Sequence, residues 1–399
     1  MVKIFFNQKF FHPAKNIFKS DLKTCISFYN SYITEKIFRN FVITLLFKNK
    51  KLNVALSYNV KPEVNSTSDR TPLSLHHENT YSNDIFAEWD TMDTINAVKN
   101  ALEKYNNVTM IEANEDAFEK FRAVKPDIVF NIAEGFYGIG REAQIPAMLE
   151  MLNIPYTGSD PLTLATCLNK ARTKEILSYY KIPNAKFRLL ESIEGLKDFD
   201  LAFPVMIKPV GEGSSKGIYN KNFINSLEEL NSVLREYFPK YNQPFIAEEF
   251  LNGREFTVAV IGNGEEARIF PIVEINFDEL PEGAPKIYSY EAKWIYDTRE
   301  NPLKIFTCPA QIDKKLEDEI RKTVLNTYKV LNCRDWSRID VRLDKNNTPN
   351  IIEVNPLPGI LPDPEDNSCY PKAARSANVP YDEMLNLVLH SAVKRYNLI

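Results

Sequence analysis

The sequence predicts an α/β protein whose C-terminal half turns α+β, and three observations carry that prediction. Strand-like and helix-like segments alternate from residue 52 to about 158, a glycine-rich loop follows a short apolar run at 207–220, and strand-like segments dominate from about 249 until the chain turns helical near the end. Regular strand–helix alternation argues for an open parallel sheet. A chain of 399 residues is long enough for two or three domains around real cores.

Residues 1–51 are set apart by ten Lys/Arg against Asp21 and Glu35 and by many Phe, Tyr and Ile. An accessory extension is the reading taken; a membrane-surface or targeting role is the alternative. The apolar run "FVITLLF" (41–47) falls far short of the ~20 residues that span a bilayer.

A first domain is expected over 52–158. "LNVALSY" (52–58) reads as a buried strand and the polar stretch 61–84 as a loop. "TMDTINAVKNALEKY" (91–105) has helical spacing at Ile95, Val98 and Leu102, with Thr91 or Asp93 as cap. "VTMIEA" and "PDIVFNIAEG" follow as strands, and "REAQIPAMLEMLNIP" as a helix stopped by Pro155.

A second domain, 159–248, opens with "DPLTLATCLNKARTKEILSYY" as one helix and ends in the strand "PFIAEEFL". Between them lies "IKPVGEGSSKGIYN". Gly211, Gly213 and Gly217 permit a tight turn, and consecutive exposed N–H groups in such a turn form an anion-binding concavity. Lys208 and Lys216 add positive charge. Lys208 precedes the glycines, so the spacing is not that of a P-loop. A plain hairpin between strands is the alternative.

The third domain, 249–399, holds "SRIDVRLDKNNTPNIIEVNPLPG" (337–359). Ile339, Val341 and Leu343 alternate with Arg338, Asp340 and Arg342, and "DKNNTP" is turn chemistry. Pairing Leu343 with Asn350 sets Asp340 across from Glu353 and Arg338 across from Asn355. Like charges directly opposite cost stability. The three oxygen-bearing side chains form either a hard cage for Mg²⁺ or Mn²⁺ or a solvated face neutralised by Arg338 and Arg342. The phosphate-type loop upstream favours the cage.

Bulk properties exclude other classes. With 49 basic and 53 acidic residues the net charge is −4, which points to no nucleic-acid partner. The four histidines lie away from these motifs. The five cysteines form no C-x-x-C pair, a pattern suited to reduced thiols in a cytosol.

Five motifs in order, "LEMLNIPYTGSDPLTLATCLNKARTK", "FPVMIKPVGEGSSKGI", "EEFLNGREFTV", "YEAKW" and "RIDVRLD…IIEVNPLPG", resemble the D-alanine–D-alanine ligase family of the ATP-grasp superfamily. The resemblance runs from about residue 127 to the C-terminus and more weakly back to 52. It implies an ATP-grasp fold, with two α+β subdomains sandwiching ATP after an N-terminal α/β domain. It also implies ATP-dependent joining of two amino acids through an acyl phosphate, most simply two D-alanines for peptidoglycan precursors.

Residue by residue, the resemblance implies that Lys170 and Lys208 neutralise the α- and β-phosphates, under backbone donors of the loop containing Gly213, Ser214 and Ser215. Glu248, Glu249 and Leu251 match the strand that reads the adenine edge, and Glu255 the acid on the ribose hydroxyls. Lys293 would meet the transferred phosphate. Asp340, Glu353 and Asn355 would hold two Mg²⁺ or Mn²⁺ ions, and Arg338 with the Gly359 N–H would stabilise the oxyanion. A cytoplasmic location and a homodimer are further implications.

The departures fall on substrate recognition. The family's glycine-rich opening after its first strand is absent, and Glu88 is the offset replacement for the acid that holds the first substrate's ammonium. Glu134 stands where the family has a histidine and Trp294 where it has a tyrosine. "LPDPEDN" is inserted between Gly359 and Ser368, the serine matched to the second substrate's carboxylate. A ligase of the same mechanism for other amino acids or a peptide, and a non-catalytic nucleotide-binding module, are the competing readings.

Overall fold

The computed structural model describes residues 51–62, 86, 88–135, 137–296 and 303–398. The N-terminal extension and nearly all of the expected 61–84 loop lie outside them, as does the Trp294 side chain.

The first sheet is parallel. β1 (Asn53–Tyr58) lies between β2 (Asn107–Glu112) and β3 (Ile128–Asn131). Helix α1 (Met92–Glu103) starts at Thr91, whose side chain accepts from Thr94 N, and buries Ile95, Val98 and Leu102. A hydroxyl at that position satisfies one of the helix's orphan N–H groups. Helices α2 (Ala117–Val124) and α3 (Gln144–Met151) pack Phe121, Ile145 and Leu149 against Ala55 and Val129. α3 ends at Met151, four residues before Pro155, and a single 3₁₀ turn precedes it.

The stretch expected to be one helix is two. α4 (Pro161–Leu168) and α5 (Lys170–Tyr179) are separated by Asn169, which has extended backbone and caps α5 through Arg172 N. Asn commonly bonds neighbouring backbone in place of helix. The break makes Lys170 the first residue of α5.

The second sheet is antiparallel, in the order β4 (Phe187–Leu190), β7 (Phe245–Glu249), β5 (Val205–Pro209), β6 (Phe223–Ile224). Helix α6 (Leu227–Tyr241) closes its core with Leu230, Leu234 and Tyr237.

The third sheet holds β8 (Glu255–Ile261), β9 (Arg268–Ile269), β10 (Val273–Ile275), β11 (Phe306–Thr307), β12 (Trp336–Leu343) and β13 (Pro349–Asn355), ordered β11-β10-β8-β12-β13 with β9 on β8. Helix α7 (Lys314–Val330) covers one face, where Ile320, Val324 and Tyr328 meet Val258, Ile339, Val341, Ile351 and Val354. Helices α8 (Cys369–Ser376) and α9 (Tyr381–Arg395) follow, and α9 returns to the first domain, where Asn386 Nδ2 donates to Ala101 O at 2.9 Å.

The β12–β13 register corrects the expected one at the turn. Leu343 pairs with Pro349 and Arg342 with Asn350, whereas Asp340 still pairs with Glu353 and Arg338 with Asn355. A bulge at Ile352 absorbs the difference. One extra residue in a strand shifts every later side chain to the other face. Ile351 and Val354 therefore point into the core, and Glu353 and Asn355 share the open face with Asp340.

Candidate active site

Asp340 is gripped along its own strand by Arg338, Nε to Oδ1 at 3.1 Å and Nη2 to Oδ2 at 3.0 Å. Asn355 Nδ2 donates to Asp340 Oδ2 at 3.3 Å. Across the hairpin, Glu353 Oε1 lies 2.9 Å from Lys170 Nζ. Burial alone would raise the Glu353 carboxyl, but Lys170 and Lys208 override it and hold it down at about 2. Arg338 is half-buried, and Asp340 beside it keeps its guanidinium charged. Among the described residues no group of three or more His, Cys, Asp or Glu could hold a metal, so a cation here needs the Asn355 amide oxygen as third donor. Two carboxylates and an amide on one face fit a hard divalent ion.

The glycine loop leaves β5 and turns sharply. Ser214, Ser215 and Gly217 have φ of 48°, 60° and 71°. Left-handed backbone at two consecutive serines is strained and needs its surroundings to hold it. Neither serine N–H donates to an oxygen among the described residues, and such adjacent donors form an anion nest. Lys170 reaches the loop through its ammonium, which donates to Glu212 O. Lys216 stays within the loop, 2.9 Å from Glu212 Oε2.

A segment from 288 to 296 docks onto this loop. Ser215 Oγ donates to Tyr288 O at 3.0 Å, Tyr290 N to Ile218 O at 2.7 Å, and Asn220 N to Glu291. The segment ends in a π-helical turn, Ala292–Tyr296. It carries Lys293, whose ammonium is lowered to about 8 by burial and then by Arg338.

On the second sheet, Glu248 is wedged between two lysines, 2.9 Å from Lys208 Nζ and 3.2 Å from Lys174 Nζ. Burial works against its ionised form, and both ammonium groups outweigh that and lower its carboxyl. Lys174 is 2% exposed and escaped the sequence reading, since a lysine in the middle of a helix reads as surface. Glu249 accepts from Ala202 N at 3.2 Å, and Leu251 is half-buried beside it. Glu255 receives Arg342 Nη1 at 2.8 Å. Arg342 lies 4.5 Å over the Phe250 ring, so it orients the ribose candidate and does not neutralise the Asp340–Glu353 pair.

Substrate candidates differ more from expectation. Glu88 was expected to face an ammonium; both its oxygens instead receive Arg141 Nη2, at 2.7 and 2.8 Å, and Oε1 also accepts from Gly213 N at 2.7 Å. Arg141 had no signal beyond its place in the loop after β3. Glu134 is half-buried nearby, and burial, then Glu142 and Glu88, push its carboxyl well up. Glu142 rises to about 8 by burial, then Glu88. Ser368 is 6% exposed; its hydroxyl donates to Gly359 O and accepts from Leu361 N, both at 3.2 Å, which closes the inserted loop at its base. Gly359 has open space around it. Cys369, beside Ser368, is pushed up to about 12 by burial, against the opposing charge of Arg338.

The family model described as "D-ala D-ala ligase C-terminus" matches residues 177–390. A D-alanine–D-alanine ligase of Pelotomaculum thermopropionicum is 30% identical over 315 residues, 76% of this chain and 92% of that protein. An uncharacterized Sinorhizobium fredii protein, y4sG, is 35% identical over 269 residues, 67% of this chain and 75% of its own length. In fold, the chain is similar to the Bacillus anthracis D-alanine–D-alanine ligase solved with ATP, with a TM-score of 0.62, 22% identity, and coverage of 88% of this chain and 99% of that one. By family model, by relatives and by fold, this chain belongs to the D-alanine–D-alanine ligase family of ATP-grasp proteins.

Proposed function

We propose that the protein is an ATP-dependent ligase that joins D-alanine to D-alanine for peptidoglycan precursors, with Mg²⁺ or Mn²⁺ held by Asp340, Glu353 and Asn355. The observation that carries this reading is the hairpin face that sets those three side chains beside Arg338 and ties them, through Lys170, to the glycine loop.

A carboxylate is a poor electrophile, so phosphorylation of the first amino acid's carboxylate precedes attack by the second amine. Both anions must approach each other, and positioned charge supplies most of the rate in such transfers. Lys170, Lys208 and the Ser214–Ser215 N–H groups hold the phosphates, and Lys293 meets the transferred one. A divalent ion held by Asp340, Glu353 and Asn355 would neutralise charge on the phosphate oxygens. Arg338 and the Gly359 N–H receive the oxyanion formed when the amine attacks. Glu248, Glu249 and Leu251 read the adenine, and Glu255, fixed by Arg342, the ribose. Glu134 takes the first substrate's ammonium, because Glu88 is already engaged. Ser368 takes the second carboxylate.

Glu88's engagement and the 361–367 insertion also support a second reading, a ligase of the same mechanism for other amino acids. The Enterococcus faecalis structure titled VanG D-Ala:D-Ser ligase is a fold neighbour at TM-score 0.61 and 21% identity. Among the described residues no helix is long and apolar enough to cross a membrane. A cytoplasmic homodimer completes the proposal. Phosphate release from ATP, screened over amino-acid pairs with Mg²⁺, tests it: release with D-alanine alone is expected, release only with another pair selects the second reading, and no release with any pair overturns both.

A further inference from the structure

The turn Gly211–Glu212–Gly213 is held at every backbone polar group that faces a neighbour. Gly211 N donates to Gln243 Oε1 at 3.0 Å, and Gly211 O accepts from Arg141 Nη1 at 2.7 Å. Glu212 O accepts from Lys170, and Gly213 N donates to Glu88 Oε1 at 2.7 Å. Two of these four anchors come from outside the nucleotide subdomains. Arg141 lies after β3 and Glu88 before α1, and they are joined to each other by two bonds. Arg141 is 7% exposed. A Cβ built on Gly213 would stand 2.5 Å from Glu88 Oε1, so the glycine is required for this approach. The residues immediately after the turn are the left-handed Ser214 and Ser215, whose N–H groups await an acceptor.

We infer that Arg141 and Glu88 are positioning residues for nucleotide, acting through the Gly211–Gly213 turn to aim the Ser214 and Ser215 donors. Glu88 thereby serves the phosphate side of the reaction from the N-terminal domain and does not serve as the ammonium ligand. The inference rests on the ligase reading above.

The test compares Glu88→Gln, Arg141→Met, Arg141→Lys, Gly213→Ala and the Glu88→Gln/Arg141→Met double variant. Each is assayed for ATP affinity by calorimetry without amino acid, and for the Michaelis constants of ATP and of the first amino acid. Glu88→Gln, Arg141→Met and Gly213→Ala are expected to weaken ATP about tenfold while the amino-acid constant moves less than about twofold. Arg141→Lys should recover part of the loss. The double variant should be no worse than the poorer single one, as expected of residues acting as a unit. A rise in the amino-acid constant with unchanged ATP affinity, or additive losses, overturns the inference. ATP affinity is read without turnover, so failure of the ligase reading would leave this measurement intact.

Discussion

Lys170 Nζ and Glu353 Oε1 stand 2.9 Å apart, so a residue proposed for the phosphates and one proposed for the metal form a single ion pair. The pair keeps both charges satisfied beside the strained loop.

Glu353→Gln should therefore act twice. Turnover should fall more than ~100-fold, because a charged ligand of the metal is lost. Stability without metal should also fall at neutral pH, because Lys170 loses its partner. With the folded Glu353 carboxyl at about 2 and the unfolded one near ~4.3, this contribution is present above ~4.3 and disappears as pH falls through 2. Melting curves of wild type and variant should converge at low pH; curves that coincide at pH 7 would refute the pairing.

Lys174→Met should destabilise the fold. Removing one member of a buried ion pair leaves the other charge uncompensated, at a cost of about 3–5 kcal/mol. Glu248 keeps Lys208, which places the expected loss toward the low end. Denaturant unfolding measures it, and an unchanged midpoint would refute the Lys174–Glu248 contact as structural.

Glu134→Gln should raise the Michaelis constant of the first amino acid roughly ten- to hundredfold, as loss of one charge-assisted bond does, and leave ATP alone. Because the Glu134 carboxyl is raised, affinity for the amino acid should weaken as pH falls, and that limb of the profile should vanish in the variant. A variant that keeps the wild-type pH profile would remove Glu134 from the ammonium site.

Burial raises the Asp90 carboxyl to about 7, against ~3.9 unfolded. A raised carboxyl favours folding while protonated, so its contribution is full below ~3.9 and is lost as pH rises to 7. The slope approaches about 1.4 kcal/mol per pH unit. Asp90→Asn should match wild type at pH 4 and melt higher at pH 8. Equal melting temperatures at both pH values would count against the burial.

What the sequence made legible was what periodicity and turn chemistry encode: the parallel strands, the Thr91 cap, and a hairpin facing Asp340 with Glu353. Its register slipped at the turn because a bulge at the second of two adjacent isoleucines has no compositional mark. The helix break at Asn169 went unread because no glycine or proline marks it. The Glu88–Arg141–Gly213 contact joins residues 53 and 125 positions from Glu88, and Arg342 reaches Glu255 across 87. Such closures arise from how sheets stack, which no local pattern reports.

The bulge at Ile352 also makes the metal face a matter of counting. A regular ladder pairs Ile351 with Val341 and the very next residue with Asp340, so deletion of Ile352 would leave Glu353 opposite Asp340 on an unbulged strand. Val354 would stay toward α7, and Glu353 and Asn355 would stay on the open face. A second residue added beside Ile352 would instead turn Glu353 and Asn355 inward and Val354 outward, so one inserted codon would erase the chemistry of two functional positions without altering either identity.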